Sequence, residues 1–377
     1  MGEHRVPNND LFSNSDAQLV DISYETNRPL DSICTCDLRR VRSNQESIWR
    51  RVVESSEGQS SAKMMVKKKT CQESMKLINN QQGTDLLSLI EDEEDLIAFT
   101  GVSIKLLNFL DKAVKMIEDK DDQRRFSKSP RERIVLCLVK LRLNLSFKCL
   151  SFFFNMTQKS CYETFVYMVQ LLSEILGTFI CWPKYEQSQE SSSKFSGDLS
   201  KTRAVLGYIE ILTGKFDCLR CEVNMFAGDK RYGLVKFLVS ATTCGCVSFV
   251  SKAYGGRAPN KDILKQSCLL DNLDPSRDLV LVDKDLDIDS ECLQAHIKLV
   301  KPPKLEKNSQ MTTTDILYTN QIAAARLPME KSVQRMKSFK ILTQRITLPV
   351  KRTIDFTSEV IAGLVNLSDP VLPHDVF

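Results

Sequence analysis

Two carboxylate residues at the ends of predicted elements are the sequence's clearest chemical signal. Asp283 directly follows the apolar run LVLV, and Glu330 lies in LPMEKSVQRMKSFK, whose apolar residues have helical spacing. Mg²⁺ prefers oxygen ligands, and a pair of such ions about 3.5–4 Å apart promotes phosphodiester cleavage. Asp283 and Glu330 are therefore candidate catalytic residues and metal ligands, with Mg²⁺ or Mn²⁺ as the cofactor.

A two-metal site also needs a ligand from a neighbouring strand, and there the sequence has a glycine. The run TRAVLGYIEILTG is typical of a buried strand, with Gly207 near its middle and Glu210 three residues later. Residues an odd number apart on a strand point to opposite faces. Glu210 is therefore a further candidate metal ligand only if a bulge at Gly207 turns it to the same side.

The elements that would position these residues predict an α/β domain over 201–368. The Gly207 strand, a second strand over Leu219–Met225 and the hairpin LVKFLVSATTCGCVSFVSKAYGG form a meander. A helix, the Asp283 strand, a helical segment around a break at Pro328 and a last helix, DFTSEVIAGLVNL, follow. This order of elements suggests a ribonuclease-H-like mixed sheet with helices.

A helix-turn-helix is predicted upstream, over 129–183. In SPRERIVLCLVKLRLN, Ser129 is a helix N-cap followed by Pro130 and Glu132. A short helix over Phe147–Phe154, a turn and a helix from Gln158 come next, and the second helix of such a pair can enter a DNA major groove. A helical bundle with no DNA role is the alternative. The candidate DNA contacts of this module are Gln158, Lys159, Ser160, Glu163 and Lys148.

The Glu330 helix is itself basic. Its cations at Lys331, Arg335 and Lys337 form either a solvated face or a set of phosphate contacts. Within the predicted fold, phosphate contact is the preferred interpretation.

The rest of the chain is predicted to be simpler. Residues 1–84 are polar, with short basic runs such as RRVR and KKK, and their composition favours disorder. These runs are typical of nuclear import signals or phosphate contacts, and equally of solvated charge in a flexible tail. A short helical region is predicted over 85–125, a Ser-rich linker over 184–200 and a tail over 369–377.

Composition excludes several classes of function. The 377 residues carry a net charge of only +4, so any basic surface must come from local clustering. No apolar run is long enough for a membrane span, and the N-terminus has no secretory signal. The 13 cysteines are therefore expected to be reduced, in the nucleus or the cytoplasm. The three histidines do not complete a zinc site with them.

From Ser129 to about Leu372 the sequence resembles the Harbinger-like DDE transposase-derived family. LRLNLSFKCLSFFFNMTQKSCYETF is similar to its helix-turn-helix signature, and VKFLVSATTCGCVSFVSKAYGGRAPNKDI to its hairpin and following helix. LVDKDLDI and MEKSVQRMKSFKIL resemble the motifs of its second Asp and its Glu, at Asp283 and Glu330. The resemblance implies a DDE endonuclease domain, a metal-dependent nuclease and hydrolase fold, that binds double-stranded DNA.

The chain differs from the family pattern at positions that the family uses for catalysis. The first Asp of the triad is Gly207, and the Asp that usually follows the Gly-Gly-Arg turn is Asn260. We therefore expect a nuclear, transposase-derived DNA-binding protein that has lost catalysis. The alternative is an active metal-dependent endonuclease with a rearranged acidic site. An accessory protein or a second copy of the chain is a candidate partner, whereas a membrane or a small-molecule substrate is not expected.

Overall fold

The computed structural model describes residues 86, 90–121, 126–193, 195, 197–214, 233–303, 312–346 and 353–369. The polar tail over 1–84 and the strand predicted over Leu219–Met225 lie outside the described residues.

Helices make up the described chain before the sheet. They are α1 (Glu93–Thr100), α2 (Ile104–Asp121), α3 (Pro130–Leu143), α4 (Phe147–Phe153), α5 (Gln158–Gly177) and α6 (Tyr185–Ser192). A capping box begins α3, because the Ser129 side chain accepts from the Glu132 N–H while the Glu132 carboxylate accepts from the Ser129 N–H. The Thr157 hydroxyl caps α5 by accepting from the Ser160 N–H at 3.1 Å. Both predicted helix starts are confirmed.

A mixed sheet follows, built from β1 (Thr202–Leu212), β2 (Leu234–Ala241), β3 (Val247–Val250), β4 (Tyr254–Gly255), β5 (Leu279–Leu281) and β6 (Lys298–Val300). The strand order is β3-β2-β1-β5-β6, and β4 pairs with β2. Strands β1, β2 and β3 are antiparallel, whereas β5 runs parallel to β1 and β6 runs parallel to β5. The predicted α/β class, a helical module followed by a mixed sheet with helices, is confirmed.

Both faces of the sheet are covered. Helices α9 (Thr313–Lys337) and α10 (Ile354–Asn366) share a buried core with α3, α5 and the β1 residues Val205 and Ile209. Helices α7 (Asn260–Ser267) and α8 (Asp289–Gln294) pack with Ala204 and Leu206, on the other face. Among the described helices, none has the length and apolar character that crossing a membrane requires.

Two local features differ from the sequence-based expectation. The predicted Ser-rich linker contains α6, whose Ser188 and Ser192 are buried. Helix α9 continues through Pro328 without a break. Pro328 is itself buried, and the Ser332 hydroxyl donates a hydrogen bond to its carbonyl at 3.1 Å. The burial of this face of α9 offsets the hydrogen bond that proline cannot make.

Candidate functional site

The candidate acidic site lies where β1 and β5 run side by side. Val205 pairs with Leu281 in this parallel ladder, so continuing the register by two residues places Gly207 beside Asp283. Asp283 follows β5 and is exposed, and its carboxylate accepts a hydrogen bond from the Lys284 N–H at 2.7 Å. The strand pairing therefore brings together two of the positions that the sequence singled out.

Helix α9 supplies Glu330 to the same place. Its buried residues Ile322, Ala325 and Met336 belong to the core that contains one face of β1. Arg326, one helical turn before Glu330, connects the two carboxylates. One guanidinium nitrogen lies 3.3 Å from the Asp283 carboxylate, and the other lies 3.2 Å from the Glu330 carboxylate. The structure thus brings Asp283 and Glu330 together through an arginine that they share.

Met329 occupies the space over Gly207. A Cβ atom added to Gly207 would lie 2.9 Å from the Met329 Cε and 3.7 Å from its Sδ. Met329 is buried, with 4% of its surface exposed. The side of β1 on which an acidic residue at 207 would stand is therefore filled by an apolar side chain.

Glu210 is not part of this arrangement. Glu210 pairs with Lys236 of the neighbouring strand β2. Val205, Gly207 and Ile209 lie on the side of β1 that faces α9. The β1 register is regular through this stretch, without a bulge at Gly207. Glu210 thus lies on the opposite face of the strand from the Asp283 and Glu330 side chains.

A lysine–amide pair occupies the Glu210 face. Burial lowers the pKa of Lys236, while the charge of Glu210 acts in the opposite direction. The Lys236 ammonium donates to the Asn260 side-chain oxygen at 3.1 Å, and the Tyr208 hydroxyl donates to the Asn260 carbonyl at 2.8 Å. Asn260 therefore joins α7 to the sheet as a neutral hydrogen-bonding residue.

The residues present do not fit a two-metal site. No group of three His, Cys, Asp or Glu side chains that could hold a metal ion exists within the described residues. Asp283 and Glu330 both contact Arg326, position 207 has no side chain, and Glu210 faces away. Two carboxylates that already share a cation are a poor match for ions that require several oxygen ligands each.

The helix-turn-helix has the predicted geometry. Helices α4 and α5 are separated by residues 154–157, and the first turn of α5 is open to solvent. Gln158, Lys159, Glu163 and the α4 residue Lys148 are exposed, and Ser160 is half-buried. Lys159 and Glu163 lie 3.8 Å apart as an exposed ion pair. The predicted contacts of α5 thus share one accessible helix end.

The helical module is docked on the sheet domain. Helix α5 packs against α10, where the Ser173 hydroxyl donates to the Glu359 carboxylate at 2.6 Å. At the other side of the module, Arg142 of α3 donates to the Ser338 hydroxyl at 2.5 Å and lies over the Phe339 ring. The Asn144 amide donates to the Gln344 side chain at 3.3 Å. Two separate contacts therefore fix the module relative to α9 and α10.

The basic residues of α9 differ in exposure. Lys337 is exposed, Lys331 is half-buried, and Arg335 is half-buried and donates to the Asp369 carbonyl. Lys340 and Arg345 extend the exposed basic surface beyond the helix end, next to Arg142. Three residues of these contacts had not been predicted from the sequence: Arg326, Met329 and Arg142. A signal for Arg326 was available, because an arginine four residues before a glutamate pairs with it on a helix.

Comparison with known families identifies the two modules. The sequence model of the DDE superfamily endonuclease matches residues 215–366, and that of the helix-turn-helix of DDE superfamily endonuclease matches 129–178. The chain belongs to the transposase-derived DDE endonuclease superfamily. The superfamily match begins after β1 and so does not include Gly207. No curated protein and no solved structure matches the chain.

Proposed function

We propose that this DDE superfamily member is a double-stranded DNA-binding protein that no longer cuts DNA. The observation that carries the proposal is the contact at Gly207, where Met329 fills the place of a first-strand carboxylate. In-line attack on a phosphodiester depends on metal ions bridged by such carboxylates. A Harbinger-like origin is part of the same proposal. A nuclear location is also part of it, because a transposase-derived protein that binds chromosomal DNA acts in the nucleus.

The DNA-binding half of the proposal rests on the open end of α5. Its first turn presents Gln158, Lys159 and Ser160 beyond the turn that joins it to α4. In proteins with this motif, the first residues of the second helix contact base edges in the major groove. Lys148, Lys331, Arg335 and Lys337 are the proposed phosphate contacts, since phosphate contacts set the register of a protein on the duplex.

A cleavage and binding assay on the purified chain tests both halves. We expect no cutting of duplex DNA in Mg²⁺ or Mn²⁺, together with binding that weakens steeply as salt rises. Alanine at Gln158, Lys159 and Ser160 together should weaken that binding. Metal-dependent cleavage that disappears in Glu330→Gln would establish the alternative, an active endonuclease with a rearranged acidic site.

The two halves can fail separately. If the affinity for DNA changes neither with the α5 substitutions nor with salt concentration, the helical module has only a structural role. Cleavage with intact binding would overturn only the loss of catalysis. An accessory protein or a second copy of the chain stays a predicted partner, to be sought by sizing the purified protein with and without DNA.

A further inference from the structure

We infer that the Arg326 guanidinium is the resident cation of the acidic site and takes the place of a divalent metal ion. The inference rests on the proposed loss of catalysis and goes further, because it assigns a binding partner to the two remaining carboxylates. In this arrangement the protein holds Asp283 and Glu330 with its own side chain and binds neither Mg²⁺ nor Mn²⁺ there.

The geometry of Arg326 suits this role. Its two terminal nitrogens reach different carboxylates, at 3.3 Å for Asp283 and 3.2 Å for Glu330. The guanidinium has 18% of its side chain exposed, whereas the two acids are about half exposed, at 55% and 51%. A planar guanidinium with several fixed donors is well matched to carboxylates. Arg326 is therefore the most enclosed member of the group.

The charge balance points the same way. A carboxylate at 207 would give the site three negative charges, which one arginine could not offset. With Gly207 in that position, Asp283 and Glu330 supply two negative charges and Arg326 supplies one positive charge. A divalent ion would have to displace Arg326 and give up water for only two protein ligands, and Mg²⁺ loses its water reluctantly.

Arg326 also connects two elements that a metal ion would otherwise join. Asp283 follows β5, and Arg326 and Glu330 lie on α9, so this ion pair ties the helix to the parallel side of the sheet. Met329, on the same turn of α9, closes the space over Gly207. The ion pairs of Arg326 and the packing of Met329 together stabilise the site without a metal ion.

Thermal unfolding with and without Mn²⁺ tests the inference, using the full chain. The wild-type Tm should not change when Mn²⁺ is added. Arg326→Gln should lower the Tm without metal by about 2–4 °C, and Mn²⁺ should recover part of that loss, because freed carboxylates can then bind the ion. Adding Asp283→Asn to Arg326→Gln should abolish the recovery.

A matched arginine serves as the control. Arg277 pairs with Asp274 at 3.0 Å and lies over the Tyr185 ring, so Arg277→Gln removes an arginine ion pair that involves neither Asp283 nor Glu330. This variant should show no response to Mn²⁺.

Two results would overturn the inference. One is a wild-type Tm that rises with Mn²⁺ and no longer rises in Asp283→Asn. The other is an Arg326→Gln protein that folds and gains no Mn²⁺ response beyond that of Arg277→Gln. Calorimetric titration of the wild type with Mn²⁺ decides the question if Arg326→Gln does not fold. Metal binding without DNA cleavage would contradict the role of Arg326 and leave the proposed function standing.

Discussion

Gly207 leaves room in the middle of β1, and the thioether of Met329 takes it up. Methionine is unbranched and adapts to irregular gaps, so it suits a place from which a larger polar group is absent. At the scale of single residues, the acidic site thus has a buried part and an open part. It is packed with an apolar side chain where it is buried and paired with Arg326 where it is open.

The contact between residues 207 and 329 predicts a measurable coupling. Gly207→Ala should change the free energy of unfolding by less than about 1 kcal/mol, because the Met329 Cε that its Cβ would meet at 2.9 Å is the free end of a flexible side chain and can move, and because alanine restricts the unfolded chain more than glycine does. Met329→Ala should cost about 2–5 kcal/mol through the cavity it leaves. The double variant should cost less than the sum of the two, since the added methyl then enters that cavity. Urea denaturation of all four proteins measures the coupling; strict additivity would show that the two residues do not touch.

The sequence was sufficient for the residues that act locally and insufficient for those that act at a distance. Ser129 and Thr157 were predictable caps, because capping depends only on the next three residues. The direction of Glu210 also followed from strand alternation. Met329 could not be assigned to Gly207, because that contact depends on how α9 lies across the sheet. The shared arginine required the same tertiary information.

Elements of the two modules meet most closely where α5 crosses α10. A Cβ atom added to Gly363 would lie 2.6 Å from the Leu176 carbonyl oxygen and 2.7 Å from the Leu176 Cβ. Further along α10, the Asn366 amide donates to the carbonyls of Phe179 and Val247, at 2.9 and 2.7 Å. One helix thus contacts both the end of the helix-turn-helix module and the β3 strand.

Gly363→Ala should therefore destabilise the protein although alanine favours a helix. The gain in helix propensity is about 1 kcal/mol, but the methyl group would meet backbone atoms of α5 that cannot rotate away. We expect a net loss of about 1–3 kcal/mol in the free energy of unfolding, measured in urea. Gly177→Ala, next to Leu176, is the matched control, because no atom of the described residues lies within 4 Å of its added Cβ. A Gly363→Ala protein as stable as this control would exclude a tight α5–α10 contact.

Whether a segment is a helix or a strand was easier to predict from the sequence than where a helix begins, ends or breaks. The apolar runs of β2 and β5 identified them as strands because both are buried over their full length. The break expected at Pro328 did not occur, because the packing of α9 on the sheet outweighs the local effect of proline. Tertiary burial also explains α6, whose polar sequence gave no periodic signal.

Across the whole molecule, charge is distributed unevenly. Two segments, 134–162 and 331–354, contain no Asp or Glu, and they meet where Arg142 bonds to Ser338 and Asn144 to Gln344. Exposed Lys337 and Lys340 lie in the second of these segments. A chain of net charge +4 therefore concentrates positive charge at the junction of its two modules, and we expect this surface to contact phosphates if the chain binds DNA as proposed.

Reversing the positive charge at this junction tests whether both modules contact the same DNA duplex. Lys337→Glu with Lys340→Glu should weaken DNA binding and reduce the slope of log affinity against log salt by about one for each lost phosphate contact. The control is Lys261→Glu combined with Lys252→Glu, which makes the same change in net charge. Lys261 lies on α7, on the opposite side of the sheet, and Lys252 lies between β3 and β4; both are exposed. A smaller loss in the control, measured by fluorescence anisotropy over a salt series, is the expected result. Equal losses would assign the effect to net charge alone, and no loss in either would confine DNA contact to the helix-turn-helix.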